Sequence, residues 1–408
     1  MNALWFYVIV FVLIWIMALL FRKQLKIEIH GPLLMRKTKR MRGFIDRLAQ
    51  KKFNIKERHY NWNLFGRNIN FKIGPTVSPW RVFLNIGILV AFYYMFNMFY
   101  MLLMSLNQLF VAPQASLIIP GVDMPGNPFY IPLSYGIIGL ATVIIVHEFA
   151  HGILARVEGV RIKSIGVLLL AVLPGAFVEP DEEDVQKSKR SAKLRIFAAG
   201  SVANLTLAAL AVLVLVGMNT YVVPNTFESD GIQITGLVPK SPASEVLKQG
   251  MVIKSINGIK TNDSSTYAEA LSTLKIGQNV SIMTSTGTYS IKTEKNPNNS
   301  SKPYMGVRST PNLVIKENVA KTFGDIPFVI PYIVELFFYI YALNFLIGVF
   351  NLLPMKPLDG GLMLEELLRY KLSDNLVKPI INTLSIFIIA IIAISIIYGT
   401  GRGIMMMF

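Results

Sequence analysis

His147-Glu148-Phe149-Ala150-His151 gathers two imidazoles and a carboxylate into five residues of a chain that has only four histidines among 408 residues. On an α-helix, positions four apart share a face, so His147 and His151 can offer two nitrogens to one metal ion while Glu148 stands beside it as a proton acceptor. The flanking stretches, Pro132 to Val146 and Gly152 to Ala155, are almost wholly apolar. Ionisable groups at membrane depth are costly and usually functional, so metal chemistry inside a bilayer is favoured over a histidine pair merely satisfied by neighbouring helices.

The elements that must hold these residues follow from composition and hydropathy. Hydrophobic residues make up 53 % of the chain, and crossing a bilayer takes about 20 apolar residues. Six segments qualify: about 3 to 21, 82 to 106, 131 to 155, 196 to 217, 326 to 350 and 379 to 398. The first lacks a small-residue cleavage site before Arg22 and is read as a retained anchor rather than a removed signal. The expected fold class is a polytopic α-helical membrane protein of about six transmembrane helices with an inserted extramembrane α+β domain. The expected organisation is an anchor over 1–21, a basic segment over 22–79, a transmembrane helix over 80–109, the first part of a membrane core over 131–217, the insert over 226–315, the second part of the core over 326–371 and a last helix over 377–400. With no cysteine present, disulfides, thiol nucleophiles and thiolate metal sites are excluded, leaving histidine, carboxylate or water as ligands.

The net charge of +16 is unevenly spread. Residues 22 to 58 hold thirteen Lys and Arg against Glu28, Asp46 and Glu57, whereas the loop 107–130 has neither Lys nor Arg. Short basic loops stay in the cytoplasm, so the first stretch is placed inside and the amino terminus and the 107–130 loop outside. The loop from about 156 to 195, with eight Lys and Arg, returns to the inside and agrees. A basic juxtamembrane stretch also suits anionic headgroups, a better match for 22–58 than nucleic acid. At about 1.5 Å per residue, His151 and His147 then lie roughly 6 and 12 Å from the cytoplasmic end of their helix.

A catalytic zinc takes three protein ligands and keeps one open position. His30 and His59, in the basic stretch, are poor candidates for the third. Asn351-Leu-Leu-Pro354-Met-Lys-Pro357-Leu-Asp359-Gly360-Gly361 follows the fifth apolar run, and its prolines and glycines should break the helix. Irregular backbone at membrane depth is tolerated where protein or a water-filled cavity surrounds it. Such a break can turn Asp359 toward a metal; alternatively it is an interfacial turn.

The pair of motifs, HEFAH at 147–151 and NLLPMKPLDG at 351–360, resembles the site-2 protease family of intramembrane zinc metalloproteases. The resemblance implies one zinc per chain held by His147, His151 and Asp359, with Glu148 as general base and Asn351 positioning the substrate or its oxyanion. The family also tends to carry a Gly-x-x-x-Asn pattern on the helix between the two motifs, and Gly200-Ser-Val-Ala-Asn204 matches it, which adds Asn204 to the substrate-positioning candidates. The apolar run Ile165 to Pro180 is too short and broken to span a bilayer; it resembles the family's membrane-associated hairpin, which can take an unwound substrate as an added strand, or it is an interfacial packing segment.

The insert resembles a PDZ domain of the protease-associated type. Ile253 to Gly258 reads as a strand entering an Asn-Gly turn, and Tyr304-Met-Gly306-Val307 looks like the ligand-loop strand, with Gly306 and Val307 as peptide-binding candidates. Such a domain takes an extended peptide or substrate ectodomain by strand addition; a steric filter is the alternative. The fourth helix runs outward, so the insert is expected outside, where sequons at Asn262, Asn279, Asn298 and Asn299 are compatible. The whole implies a multi-pass cell-membrane endopeptidase that cuts single-spanning transmembrane substrates near the cytoplasmic face. Two rivals share the architecture: an inactive scaffold that holds partners through the insert, against which Glu148 counts, and a metal-ion transporter, which should repeat polar sites across several helices and has only Glu335 as a further candidate.

Overall fold

In the computed structural model of the protein, residues 3–31, 33–38, 41–51, 53–54, 58–64, 67–73, 76–108, 119–122, 130–170, 173–297 and 299–405 are described. Most of the 107–130 loop and the Asn298 sequon lie outside them. Six described helices are long and apolar enough to cross a membrane: Val8–Leu25, Pro79–Ser105, Leu133–Val157, Arg190–Thr226, Ile326–Phe350 and Asp374–Tyr398. The chain divides into two compact units, Met1–Leu215 with Glu335–Phe408, and Val216–Val334.

The first unit opens with helix α1 (Ala3–Leu20) and strands β1 (Glu28–His30) and β2 (Leu33–Thr38). A short amphipathic helix, α2 (Arg42–Ala49), follows, burying Ile45 and Ala49. Helix α3 (Pro79–Ser105) starts with proline in its first turn, where a missing N–H costs nothing. Helix α4 (Leu133–Val157) carries the histidine motif, and the apolar run after it folds as strands β3 (Ile162–Leu170) and β4 (Leu173–Pro180). Helix α5 (Arg190–Gly217) completes this half.

Strands β1, β2, β3 and β4 form one antiparallel sheet in that order. The basic stretch thus enters the sheet, with Leu33 opposite Leu170 and Thr38 opposite Ile165. β4 is an edge strand, so Pro174 and Pro180 cost it no ladder bond on the open side. α2 docks on α4 through Ile45, which would lie 3.0 Å from a Cβ at Gly152, and through the Arg156–Asp46 ion pair at 2.5 Å. The core joins Ile45, Leu154, Val178, Ile196, Val202 and Leu352. Small residues on α5, Ala198 to Ser201, are fully or nearly fully buried, as close helix packing in lipid requires.

The second unit is an α+β insert. Its sheet orders strands β5 (Phe227–Leu237), β6 (Val252–Ile256), β7 (Asn279–Thr284), β8 (Gly287–Lys292) and β9 (Val307–Ile315) as β8-β7-β6-β5-β9, all antiparallel. Helix α6 (Ser264–Ser272) lies between β6 and β7 in the chain. Ile232, Ile234, Ile253, Ile256, Val280 and Ile282 fill the core. Asn257 and Gly258, at φ 50° and 83°, make the turn after β6, where two successive positive φ values suit Asn-Gly.

The chain resumes the first unit at Glu335, within α7 (Ile330–Phe350), and continues with α8 (Asp359–Leu368) and α9 (Asp374–Met405). As the prolines and glycines predict, helix stops at Phe350 and restarts at Asp359. The intervening backbone is enclosed by protein, with Leu352, Leu353 and Met355 buried.

Candidate metal centre

His147 and His151 leave one face of α4, and their Nε2 atoms lie 3.1 Å apart. Asp359, the first residue of α8, brings Oδ2 to 3.5 Å from His147 Nε2 and Oδ1 to 3.4 Å from His151 Nε2. Among the described residues this is the one group of three histidine or carboxylate side chains whose ligand atoms converge. All three side chains are mostly buried, in a segment of protein where polar groups need partners.

Those partners come from α5. Ile196 O accepts a hydrogen bond from His151 Nδ1 at 2.7 Å, which fixes the tautomer and leaves a lone pair on Nε2. Ser201 Oγ donates to Asp359 Oδ2 at 2.8 Å. The Asn204 side-chain amide meets His147 Nδ1 at 3.3 Å, and Asn204 Oδ1 is buried without a partner. Turning that amide over presents Oδ1 to a His147 Nδ1–H, the tautomer a ligating Nε2 needs. Between these positions, Gly200 faces both imidazoles: a Cβ there would lie 2.6 Å from His147 Nε2 and would collide with His151 Nε2. The absence of a side chain keeps the space between the histidines open.

The donor set fits zinc. Nitrogen and oxygen ligands sit about 2.0–2.2 Å from tetrahedral Zn²⁺, so they stand about 3.3–3.6 Å from one another. The three observed separations fall at or close to that range. Two histidines and one carboxylate also match the ligand sets of catalytic zinc.

The loop and helix ends hold Asp359 in place. Asn351 O accepts from Gly360 N at 2.9 Å, and a Cβ at Gly360 would collide with Leu352 O. Glu365 and Glu366 of α8 are buried but paired, Glu365 with Lys356 at 2.6 Å and Arg369 at 3.0 Å, and Glu366 with Lys193 of α5 at 3.3 Å. Just past the C-terminal end of α4, the buried side chain of Glu158 binds Arg195 at 2.8 Å and Arg81 at 3.1 Å, which ties α3, α4 and α5 together. Glu148 Oε2 accepts from Val178 N of edge strand β4 at 3.0 Å.

The structure therefore brings together His147, His151, Asp359 and, behind them, Asn204. Glu148 lies one residue along the helix, and Asn351 reaches the centre through its backbone. Gly306 and Val307 belong to the insert, where Gly306 O accepts from Val238 N at 2.9 Å and Val307 pairs with Leu237. Glu335 is exposed on α7. Sequence reasoning missed Ser201, Ile196 and Val178; only Ser201 carried a signal, a polar residue inside the Gly200–Asn204 pattern.

The sequence model of peptidase family M50 matches residues 135–392, which include both motifs and everything between. The chain belongs to peptidase family M50. This M50 chain is 32 % identical over 231 residues to an uncharacterized protein of Methanocaldococcus jannaschii, covering 56 % of each. It is 28 % identical over 137 residues to a membrane-bound transcription factor site-2 protease homolog of Arabidopsis thaliana, covering 34 % of this chain and 27 % of that one. The matches thus span about half or less of the relatives' lengths. Two PDZ domains of SdrC-like proteins, from Listeria monocytogenes and Listeria innocua, are 24 % and 22 % identical and cover 20 % of this chain and 87 % and 97 % of theirs, at TM-scores of 0.18 and 0.19. M50 membership accounts for the multi-span architecture, and the three-residue cluster lies within the matched region.

Proposed function

We propose that this M50 protein is a zinc-dependent intramembrane endopeptidase that cuts single-spanning membrane proteins near the cytoplasmic face. The observation that carries this reading is the convergence of His147, His151 and Asp359 with a carboxylate, Glu148, next to the first ligand. Zinc bound there supplies a lowered water pKa, about 7, and polarises a carbonyl. Glu148 takes the proton from the attacking water and returns it to the leaving amine. Asn204 holds His147 in its ligating tautomer, and Asn351 positions the substrate or its oxyanion.

A helical substrate must unwind first, because its carbonyls are hydrogen-bonded and shielded. β4 offers the unwound segment an edge: its open side has no strand neighbour among the described residues, and Val178 N–H points that way. Antiparallel alternation turns the N–H and C=O of Ala176 to the same side. Strand addition there lays the substrate beside Glu148. The distribution of Lys and Arg supports an outside amino terminus and an outside insert. The PDZ-like insert has a counterpart edge in β9, which starts at Val307 and pairs on one side only among the described residues, and a substrate ectodomain or peptide is its partner.

Metal analysis and cleavage of a panel of transmembrane peptides by wild type, Glu148→Gln and Asp359→Ala test the reading. Glu148→Gln should keep one zinc and lose about 10²–10⁴-fold in rate, while Asp359→Ala should lose zinc. Equal cleavage by wild type and Glu148→Gln sinks the peptidase reading. A wild type that binds zinc, cuts nothing and retains partners through the insert favours the scaffold.

A further inference from the structure

Arg42, Asp46, Arg156, Arg161 and Ile162 line a cavity of about 240 Å³ at the end of the motif-bearing helix. Three guanidinium groups meet there with one lining carboxylate. Two of them are partly committed. Arg156 gives Nε to Asp46 and Nη1 to Val160 O at 3.2 Å, and Arg161 binds Asp184 through Nε and Nη2 at 2.7 and 3.0 Å, with Asp181 Oδ2 3.5 Å from Nη2. Among the described residues Arg156 Nη2 and Arg161 Nη1 have no such bond. Arg42 has no side-chain hydrogen-bond partner among the described residues, and its Nε is buried. A buried, unpaired N–H of a cation costs stability until an acceptor reaches it.

We propose that this cavity is a phosphate-binding site. A phosphate group carries several acceptor oxygens and matches the planar fork of arginine, which lysine cannot reproduce. The volume admits one such group between the arginines. Arg156 is the penultimate residue of a membrane-spanning helix, so the cavity lies at the level of phospholipid headgroups. Bound phosphate joins three segments: Arg42 opens α2, Arg156 lies in the last turn of α4, and Arg161 with Ile162 leads into β3. The site thus gives the basic stretch a specific task, clamping α2 against the helix that carries the metal ligands. It stands independently of the peptidase reading, because its measure is binding.

The source is either a lipid headgroup or a soluble phosphate. Delipidated full-length protein should unfold at higher temperature as inorganic phosphate is added, saturably, and Arg42→Ala should weaken the apparent affinity about tenfold or more. Arg42→Lys, which keeps the charge and loses the fork, should fall between, and it serves if the alanine variant does not fold. The same titration in nanodiscs of phosphate-free galactolipid, with and without phosphatidate, separates the sources. Phosphatidate that abolishes the response assigns the site to headgroups, and a response that persists assigns it to soluble phosphate. A wild type without saturable response to phosphate or phosphatidate, or affinities equal in wild type and both Arg42 variants, overturns the proposal.

Discussion

The candidate metal centre and the cap of α6 both rest on a carboxylate, and they are built in opposite ways. Asp359 meets residues 158 to 212 positions away, namely Ser201, His151 and His147. Asp263 meets Thr266 and Ser265, three and two residues on. Lipid offers a polar side chain of the membrane core no hydrogen bond, so each finds its partner by tertiary packing, and a displaced helix costs several partners at once. In the insert the chain satisfies its own donors within one turn, and a lost partner can be replaced by solvent. Perturbations of the first kind should therefore spread to the whole centre, and those of the second should stay local.

The largest contrast lies between two glycines. At Gly200 a Cβ would sit 2.6 Å from His147 Nε2, with no flexible neighbour to give way except the two imidazoles themselves. Gly200→Ala should abolish stoichiometric zinc binding in the purified protein. At Gly236, on β5, the nearest atoms to a Cβ are those of Arg308 at 3.7 and 3.8 Å, an ordinary contact. Gly236→Ala should leave zinc content unchanged. A Gly200→Ala protein that still holds one zinc as tightly as wild type would remove the argument that α5 shapes the centre.

A smaller effect is expected at Ser201, which removes no ligand. Its hydroxyl occupies one side of Asp359 Oδ2, and loss of such an outer contact typically costs 10–100-fold in metal affinity. Competition with a calibrated chelator should show that shift for Ser201→Ala. Ser265→Ala, which deletes an equivalent donor from Asp263 in the insert, should leave the chelator curve where it was. If both variants behave like wild type, the long-range and local carboxylates do not differ in the way described.

What could be read from sequence divides along the same line. The histidine pair was legible because spacing on a helix is a local property, and so was the Asn257-Gly258 turn, whose two residues dictate the backbone. The helix break before Asp359 was legible from its prolines and glycines. That Asp359 turns toward the histidines was not a matter of local pattern and came from resemblance. Ile196 was invisible because a backbone carbonyl carries no residue signature, and Val178 for the same reason. Ser201 reads as one more small residue in a packed helix. The pairing of Leu33–Thr38 with Ile165–Leu170 was hidden by sequence distance and by Arg36 and Lys37, which make the strand look like a basic loop.

The smallest expected effect belongs to the local carboxylate. Asp263 Oδ1 accepts from Thr266 N at 2.8 Å and Ser265 Oγ at 2.7 Å, while Asp263 N donates to Thr266 Oγ1 at 3.1 Å, closing a capping box at the start of α6. The Thr266 N–H is the main cause that lowers its pKa from 3.8 to about 2. A carboxyl whose folded pKa lies below its unfolded one adds stability that is complete above 3.8 and fades as pH falls toward 2. Hydrogen exchange of the full-length protein should therefore show protection of α6 amides falling across that window in wild type. In Asp263→Asn the cap does not titrate, so the profile should be flatter and start lower at neutral pH. Zinc content at neutral pH should be the same in both. Parallel profiles in the two proteins would mean that the cap does not govern the helix, and a change in zinc content would mean that the insert's local contacts reach the centre after all.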